Sequence, residues 1–81
     1  MIVELKLFAL AKQLAAADTV RLEVEEPATV GQLRSKLADE FPALASITSH
    51  LLFAVNASYA DDATAVPESA EVACFPPVSG G

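Results

Sequence analysis

The sequence has few of the residues from which metal centres and catalytic sites are built. It contains one cysteine, one histidine and three glycines in 81 residues. A lone cysteine excludes an intrachain disulfide and a thiolate zinc cage, which need at least two thiols or a cysteine–histidine cluster. No glycine-rich phosphate loop is present, and no Ser/His/Asp set has a usable context. The chain is therefore predicted neither to catalyse a reaction alone nor to hold a metal.

Basic residues and long apolar runs are also scarce. Five Lys and Arg stand against eleven Asp and Glu, which gives a formal charge of -6. Such a surface repels phosphate backbones and anionic lipids, so we expect no nucleic acid or membrane partner. The apolar runs reach only about five residues, as at 51–55, where a bilayer span needs about 20. Because no basic secretory segment opens the chain, we expect a cytoplasmic protein.

Alternating apolar and polar residues predict two strands in the first third of the chain. The apolar members are Val3, Leu5 and Leu7 in the first set, and Val20, Leu22 and Val24 in the second. A period of two is typical of half-buried strands, and these two are predicted to pair antiparallel. Residues 8–17 between them are rich in alanine, with Leu10 and Leu14 four apart, which predicts a short helix.

The main helix is predicted to begin after Thr29. Thr29 and Gln32 fit a capping box, in which each side chain bonds the backbone N–H of the other residue. The apolar residues that follow lie three or four apart and form one stripe: Val30, Leu33, Leu37 and Phe41. Pro42 ends the helix. The stripe is expected to pack across a sheet.

The second half of the chain supplies the remaining strands. Residues 51–55 are apolar on both faces, which indicates an interior strand, and Tyr59 is predicted in a short edge strand. Residues 71–75 form the last strand, ended by Pro76-Pro77. The order predicts a single α+β domain, with a mixed sheet of four or five strands, one main helix across it and a short extra helix after the first strand. The sequence does not fix the strand order.

Three isolated groups are interpreted as structural. His50 has no second ligand nearby, and the pair Asp61-Asp62 lacks the six to eight oxygens that Ca²⁺ prefers, so a loop histidine and a solvated turn are predicted. Cys74 lies mid-strand with no basic neighbour to stabilise a thiolate, which favours a packed thiol over a sulfur or acyl carrier.

The end of the chain is the remaining candidate. Pro76-Pro77 is expected to direct the last residues away from the sheet, and Gly80-Gly81 suits a channel too narrow for a Cβ. A frayed terminus explains the same residues, and the residues alone leave the two interpretations balanced.

The whole chain resembles the small subunit of molybdopterin synthase, a sulfur carrier of the ubiquitin-like β-grasp class. The resemblance is carried by TVGQLR at 29–34, LFAVN at 52–56 and, above all, EVACFPPVSGG at 71–81. The chain departs from that pattern in the turn at 68–71, which lacks the usual glycine, and at Cys74, where a larger apolar residue is usual.

The resemblance implies a β-grasp domain over residues 1–75 and an extended tail over 76–81. It also implies the chemistry of Gly81: a ubiquitin-activating-type adenylyltransferase forms a glycyl adenylate there, and a persulfide sulfur donor converts it to a thiocarboxylate. The thiocarboxylate then gives its sulfur to cyclic pyranopterin monophosphate in the large subunit of molybdopterin synthase. No cofactor is implied for this chain, since the activating partner uses the ATP.

The implied roles fall to the last seven residues. Gly81 is the covalent carrier; Gly80, Ser79 and Val78 thread the partner's channel; Phe75, Pro76 and Pro77 bind the partner. The ring of Phe75 is either an exposed anchor or part of the core. Three other functions stay open: a sulfur carrier for thiamin or cysteine synthesis, a ubiquitin-like protein modifier joined through Gly81, and a non-covalent interaction module.

Overall fold

The computed structural model describes residues 1–77, in which five strands form one mixed sheet. The strands are β1 (Ile2–Leu7), β2 (Thr19–Glu23), β3 (Leu52–Val55), β4 (Ser58–Ala60) and β5 (Val72–Phe75). Their order across the sheet is β2-β1-β5-β3-β4. Only the β1–β5 pair is parallel. The last strand therefore lies in the middle of the sheet, and the interior position predicted for the 51–55 segment is confirmed.

The two alternating segments form the predicted antiparallel pair. Leu5 lies opposite Val20, and every second residue of both strands is buried. The strand ends differ slightly from the prediction. Val24 follows β2, although its N–H still donates to the carbonyl of Met1 at 2.9 Å, and β5 begins at Val72 rather than at residue 71.

Two helices lie where the sequence predicts them, at α1 (Ala9–Ala15) and α2 (Val30–Glu40). The capping box of α2 is present, because the N–H of Gln32 donates to Thr29 Oγ1 at 3.3 Å and the N–H of Thr29 donates to Gln32 Oε1 at 2.8 Å. In α1 the buried residue is Ala11, whereas Leu10 and Leu14 stay exposed. No helix in residues 1–77 has the length and apolarity that crossing a bilayer requires.

The core lies between α2 and one face of the sheet, which we call the inner face. It is a single cluster to which both helices and the sheet contribute, including Leu5, Leu22, Leu33, Leu37, Leu44, Phe53, Val72 and Cys74. The two-layer α+β arrangement predicted from the sequence is confirmed. Residues that point to the opposite, outer face of the sheet are exposed or half-buried.

Gly31 lets the start of α2 approach the 61–64 loop closely. Its N–H donates to the carbonyl of Asp62 at 3.0 Å, and the N–H of Val30 donates to Thr64 at 3.0 Å. A Cβ on Gly31 would lie 3.3 Å from both Cβ and the carbonyl oxygen of Asp62, tighter than an ordinary contact. The loop after β4 is thereby held against the helix.

Candidate functional site

The C-terminal tail follows β5, the central strand of the sheet. β5 is bonded to β1 on one side and to β3 on the other. The register extends to the end of the strand, where Phe75 lies opposite Leu52 and the N–H of Phe8 donates to the carbonyl of Cys74 at 3.3 Å. A segment that follows Phe75 is therefore attached to a strand fixed on both sides.

The ring of Phe75 lies on the outer face, between two other aromatic rings. Its centroid is 6.2 Å from the Phe8 ring at an interplanar angle of 70°, and 5.7 Å from the Tyr59 ring at 73°. Both are edge-to-face geometries, which aromatic pairs prefer. The alternation of β5 places Phe75 opposite the core side, because Val72 and Cys74 are the buried residues. Phe75 is thus a half-buried residue of the outer face rather than a core residue.

Phe8, Leu52, Tyr59 and Phe75 together form what we call the apolar patch. Phe8, Leu52 and Tyr59 are 47%, 37% and 75% exposed. Exposed apolar side chains are common when scattered, but a contiguous group is typical of an interaction surface. The patch surrounds the residue from which the tail departs.

Phe8, Leu52 and Tyr59 were not predicted as site residues. One sequence signal points to Phe8, because Phe8 continues the alternation of Glu4 and Lys6 on the solvent-exposed side of β1. An aromatic residue at such a position is expected to be exposed. Leu52 and Tyr59 join the patch through strand order, which the sequence did not reveal.

Of the predicted tail residues, the structure places Pro76 and Pro77. Pro76 is half-buried and Pro77 is exposed, directly beyond the patch. Neither residue can donate a backbone hydrogen bond, so neither extends the β5 ladder. Val78, Ser79, Gly80 and Gly81, on which the carrier and threading roles were predicted, lie outside the described residues.

Cys74 is a packed structural thiol, as predicted. It is fully buried in the core cluster beside Phe53, its partner across β3 and β5. Burial raises the pKa of the thiol to about 12, and the nearby positive charge of Arg34 offsets a part of that increase. The group is neutral at physiological pH and inaccessible, so it does not supply a reactive thiolate.

His50 and Asp61 have local side-chain partners, whereas Asp62 is paired with Arg34. Nδ1 of His50 lies 3.2 Å from Ser49 Oγ. Asp61 Oδ1 accepts from the N–H of Ala63 and the hydroxyl of Thr64, both at 3.0 Å, and so closes its own turn. Within residues 1–77 no three metal-binding side chains come together. His50 is the last residue of a short 3-10 helix, Thr48–His50, rather than part of an irregular loop, and the turn predicted at Asp61-Asp62 is confirmed.

Arg34 ties α2 to the segments on either side of it. Its Nη1 donates to the carbonyls of Thr48 at 2.6 Å and Leu51 at 2.9 Å, while Nε and Nη2 donate to Asp62 Oδ1 at 3.1 and 2.9 Å. The guanidinium also lies 4.9 Å from the centroid of the Phe53 ring, within cation–π range. Arg34 therefore positions the start of β3 and the loop after β4. The sequence gives no signal of this, since its partners are 14 to 28 residues away.

Relatives of the chain share both its length and its fold. It is 33% identical to the molybdopterin synthase sulfur carrier subunit of Arabidopsis thaliana over 98% of this chain and 84% of that protein. It is 37% identical to small archaeal modifier protein 1 of Haloferax volcanii over 96% of this chain and 99% of that protein. The crystal structure of the Haloferax volcanii protein superposes with a TM-score of 0.85 at 35% identity, covering 100% of both chains.

Two further solved structures have the same architecture. A Pyrococcus furiosus protein described as molybdopterin converting factor subunit 1 matches with a TM-score of 0.84 at 26% identity. The match covers 96% of this chain and 99% of that one. Subunit 1 in the complex of subunits 1 and 2 of the molybdopterin-converting factor from Helicobacter pylori 26695 matches with a TM-score of 0.69 over 100% of both chains. At 21% identity that second likeness shows the fold alone.

The sheet order, the helix across it and these neighbours define a ubiquitin-like β-grasp domain, as predicted. The model of the ThiS family matches residues 5–81. The chain belongs to the ThiS family, and the resemblance to the small subunit of molybdopterin synthase is confirmed. Its family is that of the ThiS-type sulfur carriers.

Proposed function

We propose that the chain is the sulfur-donating small subunit of molybdopterin synthase and acts in molybdenum cofactor biosynthesis. In this proposal residues 1–75 are a folded body, residues 76–81 are the tail, and the C-terminal carboxylate of Gly81 carries the sulfur. The chain does not catalyse the transfer alone. The reaction proceeds in the large subunit, and we place both in the cytoplasm.

The observation that carries the proposal is the position of the apolar patch at the root of the tail. Phe75 is the last residue of a central strand, and its ring is flanked by Phe8 and Tyr59 on the outer face. A partner that covers this patch is held next to the departing tail. Buried aromatic residues are frequent hot spots of protein interfaces, which suits Phe75 as the anchor.

The chemistry at Gly81 needs activation, because a carboxylate is a poor electrophile. An adenylyltransferase of the ubiquitin-activating type joins the carboxylate to AMP and releases pyrophosphate from ATP. Attack by a persulfide sulfur on the adenylate carbonyl expels AMP, and a thiol that cleaves the resulting S–S bond leaves a thiocarboxylate. The partner binds the ATP; this chain binds no cofactor.

The thiocarboxylate then acts as the nucleophile towards cyclic pyranopterin monophosphate in the large subunit. Val78, Ser79 and Gly80 thread the channel that leads there, and Pro76 and Pro77 direct them. Two loaded carriers are consumed for each dithiolene. In the solved complex from Helicobacter pylori, a chain of the same fold occurs with the other subunit of the molybdopterin-converting factor, which is the kind of pairing proposed for this chain.

The first test is mass spectrometry of the intact protein after incubation with ATP, the activating enzyme and a persulfide donor. We expect one oxygen to be replaced by sulfur, within the peptide that ends at Gly81. The loaded protein, mixed with the large subunit and cyclic pyranopterin monophosphate, is expected to yield molybdopterin. Variants that lack Gly81, or carry one residue after it, should remain folded and yield none. Thiocarboxylate without molybdopterin would instead indicate a carrier for thiamin or cysteine synthesis.

A second candidate function is that of a protein modifier joined through Gly81 to lysines. The relative that favours it is small archaeal modifier protein 1, at 37% identity over nearly the whole of both chains. The same activated glycine serves either role, because a lysine amine replaces the persulfide as the attacking group. Isopeptide adducts of the chain in an extract of its own cells would support the modifier, and their absence would support the carrier.

A further inference from the structure

One basic side chain, that of Lys6, lies at the border of the apolar patch and has no ion-pair partner among residues 1–77. Four of the five basic side chains are paired: Lys12 with Asp18, Arg21 with Glu4, Arg34 with Asp62 and Lys36 with Glu40, at 2.7 to 3.2 Å. Lys6 is the fifth, and it makes no ion pair within residues 1–77.

The sheet register places Lys6 near the apolar patch on the outer face, in the row of residues that ends at Tyr59. Lys6 lies beside Ala73, which lies beside Ala54, which lies beside Tyr59. The neighbouring row contains Phe75 and Leu52. The alanine side chains between Lys6 and Tyr59 are small. A molecule that binds the patch therefore contacts the aliphatic part of the Lys6 side chain.

The charged side chains near Lys6 line a groove on the same, outer face of the sheet. Lys6 lines a groove of about 460 Å³ together with Glu4, Arg21 and Glu71. Glu4 is engaged by Arg21 at 3.1 Å, and Glu71 makes no ion pair among the described residues. Lys6 therefore lies between the apolar patch and a groove that contains two carboxylates together with Arg21 and Ile2.

Covering the patch with a protein also covers Lys6. A stable interface buries about 800 Å² on each partner, far more than four side chains offer. No carboxylate lies within ion-pair distance of Lys6 in residues 1–77, and an ammonium removed from water without a close counter-charge is strongly disfavoured, so an acidic partner residue offsets that cost. A partner with an apolar or basic group at this place is disfavoured for the same reason.

We propose that Lys6 is a specificity-determining contact, which pairs with a carboxylate that borders the apolar docking surface of the large subunit. The inference rests on the proposed function, because it takes the large subunit as the occupant of the patch. Lys6 selects among partners with similar apolar surfaces by accepting the one with an acid beside it. Electrostatic complementarity commonly supplies such selectivity.

The test is calorimetric titration of the large subunit from the same organism with the full-length chain and its variants. Removing the charge in Lys6→Met is expected to weaken binding about tenfold, and Lys6→Glu about a hundredfold, as for charge pairs at other interfaces. Both losses should shrink in about 0.5 M salt, which screens charges. Lys36→Met and Lys36→Glu are the matched controls, since they make the same changes of net charge on α2 and should bind as the unchanged chain does. Melting curves establish that every variant is folded.

The outcomes separate this inference from the proposed function. If Lys6 variants bind like the unchanged chain while Phe75→Ala binds weakly, the patch is the docking surface and the role of Lys6 is wrong. Equal losses in the Lys6 and Lys36 variants indicate a non-specific effect of net charge and also overturn it. If the unchanged chain does not bind the large subunit, both the proposed function and the inference fail.

Discussion

The ring of Phe75 meets the ring of Tyr59 edge-to-face, with centroids 5.7 Å apart, on the side of the sheet that α2 does not cover. This contact joins the last strand to the edge strand β4, with β3 between them. The side chain of Phe75 is only half-buried. A large apolar ring in that position contributes to folding and remains available to a partner.

Phe75→Ala is therefore expected to affect binding more than stability. The free energy of unfolding should fall by about 1–2 kcal/mol, because the ring is half-buried, whereas truncation of a fully buried phenylalanine costs about 3–5 kcal/mol. Affinity for the large subunit should fall by about 2 kcal/mol or more. Phe53→Ala, at a core position, is the control and should show the larger loss of stability. A Phe75→Ala protein as unstable as the control would mean that the ring serves the core instead.

Arg34→Met is expected to lower the free energy of unfolding by about 2–3 kcal/mol. The substitution removes a donor from the carbonyls of Thr48 and Leu51; that of Thr48 keeps the N–H of Leu51 at 3.3 Å, and buried acceptors that lose a donor are costly. Asp62→Asn removes only the charge of an exposed partner and should cost less than about 1 kcal/mol. Chemical denaturation of both variants measures the difference. Equal losses would show that the ion pair, rather than the two carbonyl contacts, is the main contribution.

Ser69→Gly is expected to stabilise the protein by about 0.5–1 kcal/mol. Ser69 has a φ of 65°, in the left-handed region, at the turn that precedes β5. Glycine adopts this conformation without the steric cost of a Cβ. Ser58→Gly in β4, where φ is not positive, is the control and should be destabilising. A loss of stability in both variants would contradict the steric argument.

Cys74 is expected to make the stability fall in alkali. Its pKa is raised from an ordinary value of 9.0 to about 12 in the folded chain, so between these values the unfolded thiol loses its proton and the folded one keeps it. The free energy of unfolding should then decrease by about 1.4 kcal/mol per pH unit above pH 9. Cys74→Val lacks the titrating group, while the other titrating residues are shared.

The measurement is urea unfolding of both proteins from pH 7 to pH 11. The difference in stability between the original chain and Cys74→Val should be constant below pH 9 and should change steadily above it. A difference that stays constant over the whole range would show that the thiol ionises equally in the folded and unfolded states.

The elements of the fold that depend on nearby residues could be predicted from the sequence. The alternation of β1 and β2 and the capping box of α2 involve contacts within a few residues, and the structure confirms each of them. For α1 the four-residue spacing of Leu10 and Leu14 predicted the helix, but Ala11 is the residue that the core buries.

The relationships between distant residues could not be predicted in the same way. Phe8 and Phe75 are 67 positions apart, and their contact requires that β5 be placed beside β1. The conformation of the turn between β3 and β4 could not be predicted either, although its residues are adjacent in the sequence. Asn56 and Ala57 both have positive φ, at 50° and 70°, and the second of these is a residue that rarely signals such a turn. Of the site, the sequence supplied Phe75 and the prolines; tertiary structure supplied the surface around them.

The central position of β5 has a mechanical consequence. Force applied to the end of the chain is directed along the strand, and the flanking ladders with β1 and β3 resist it in shear, with their hydrogen bonds loaded together. A terminal segment on an edge strand would instead be peeled off one bond at a time. Tension on the end of the chain is therefore shared by two ladders, and the folded body should withstand a higher force than it would if the chain ended in an edge strand.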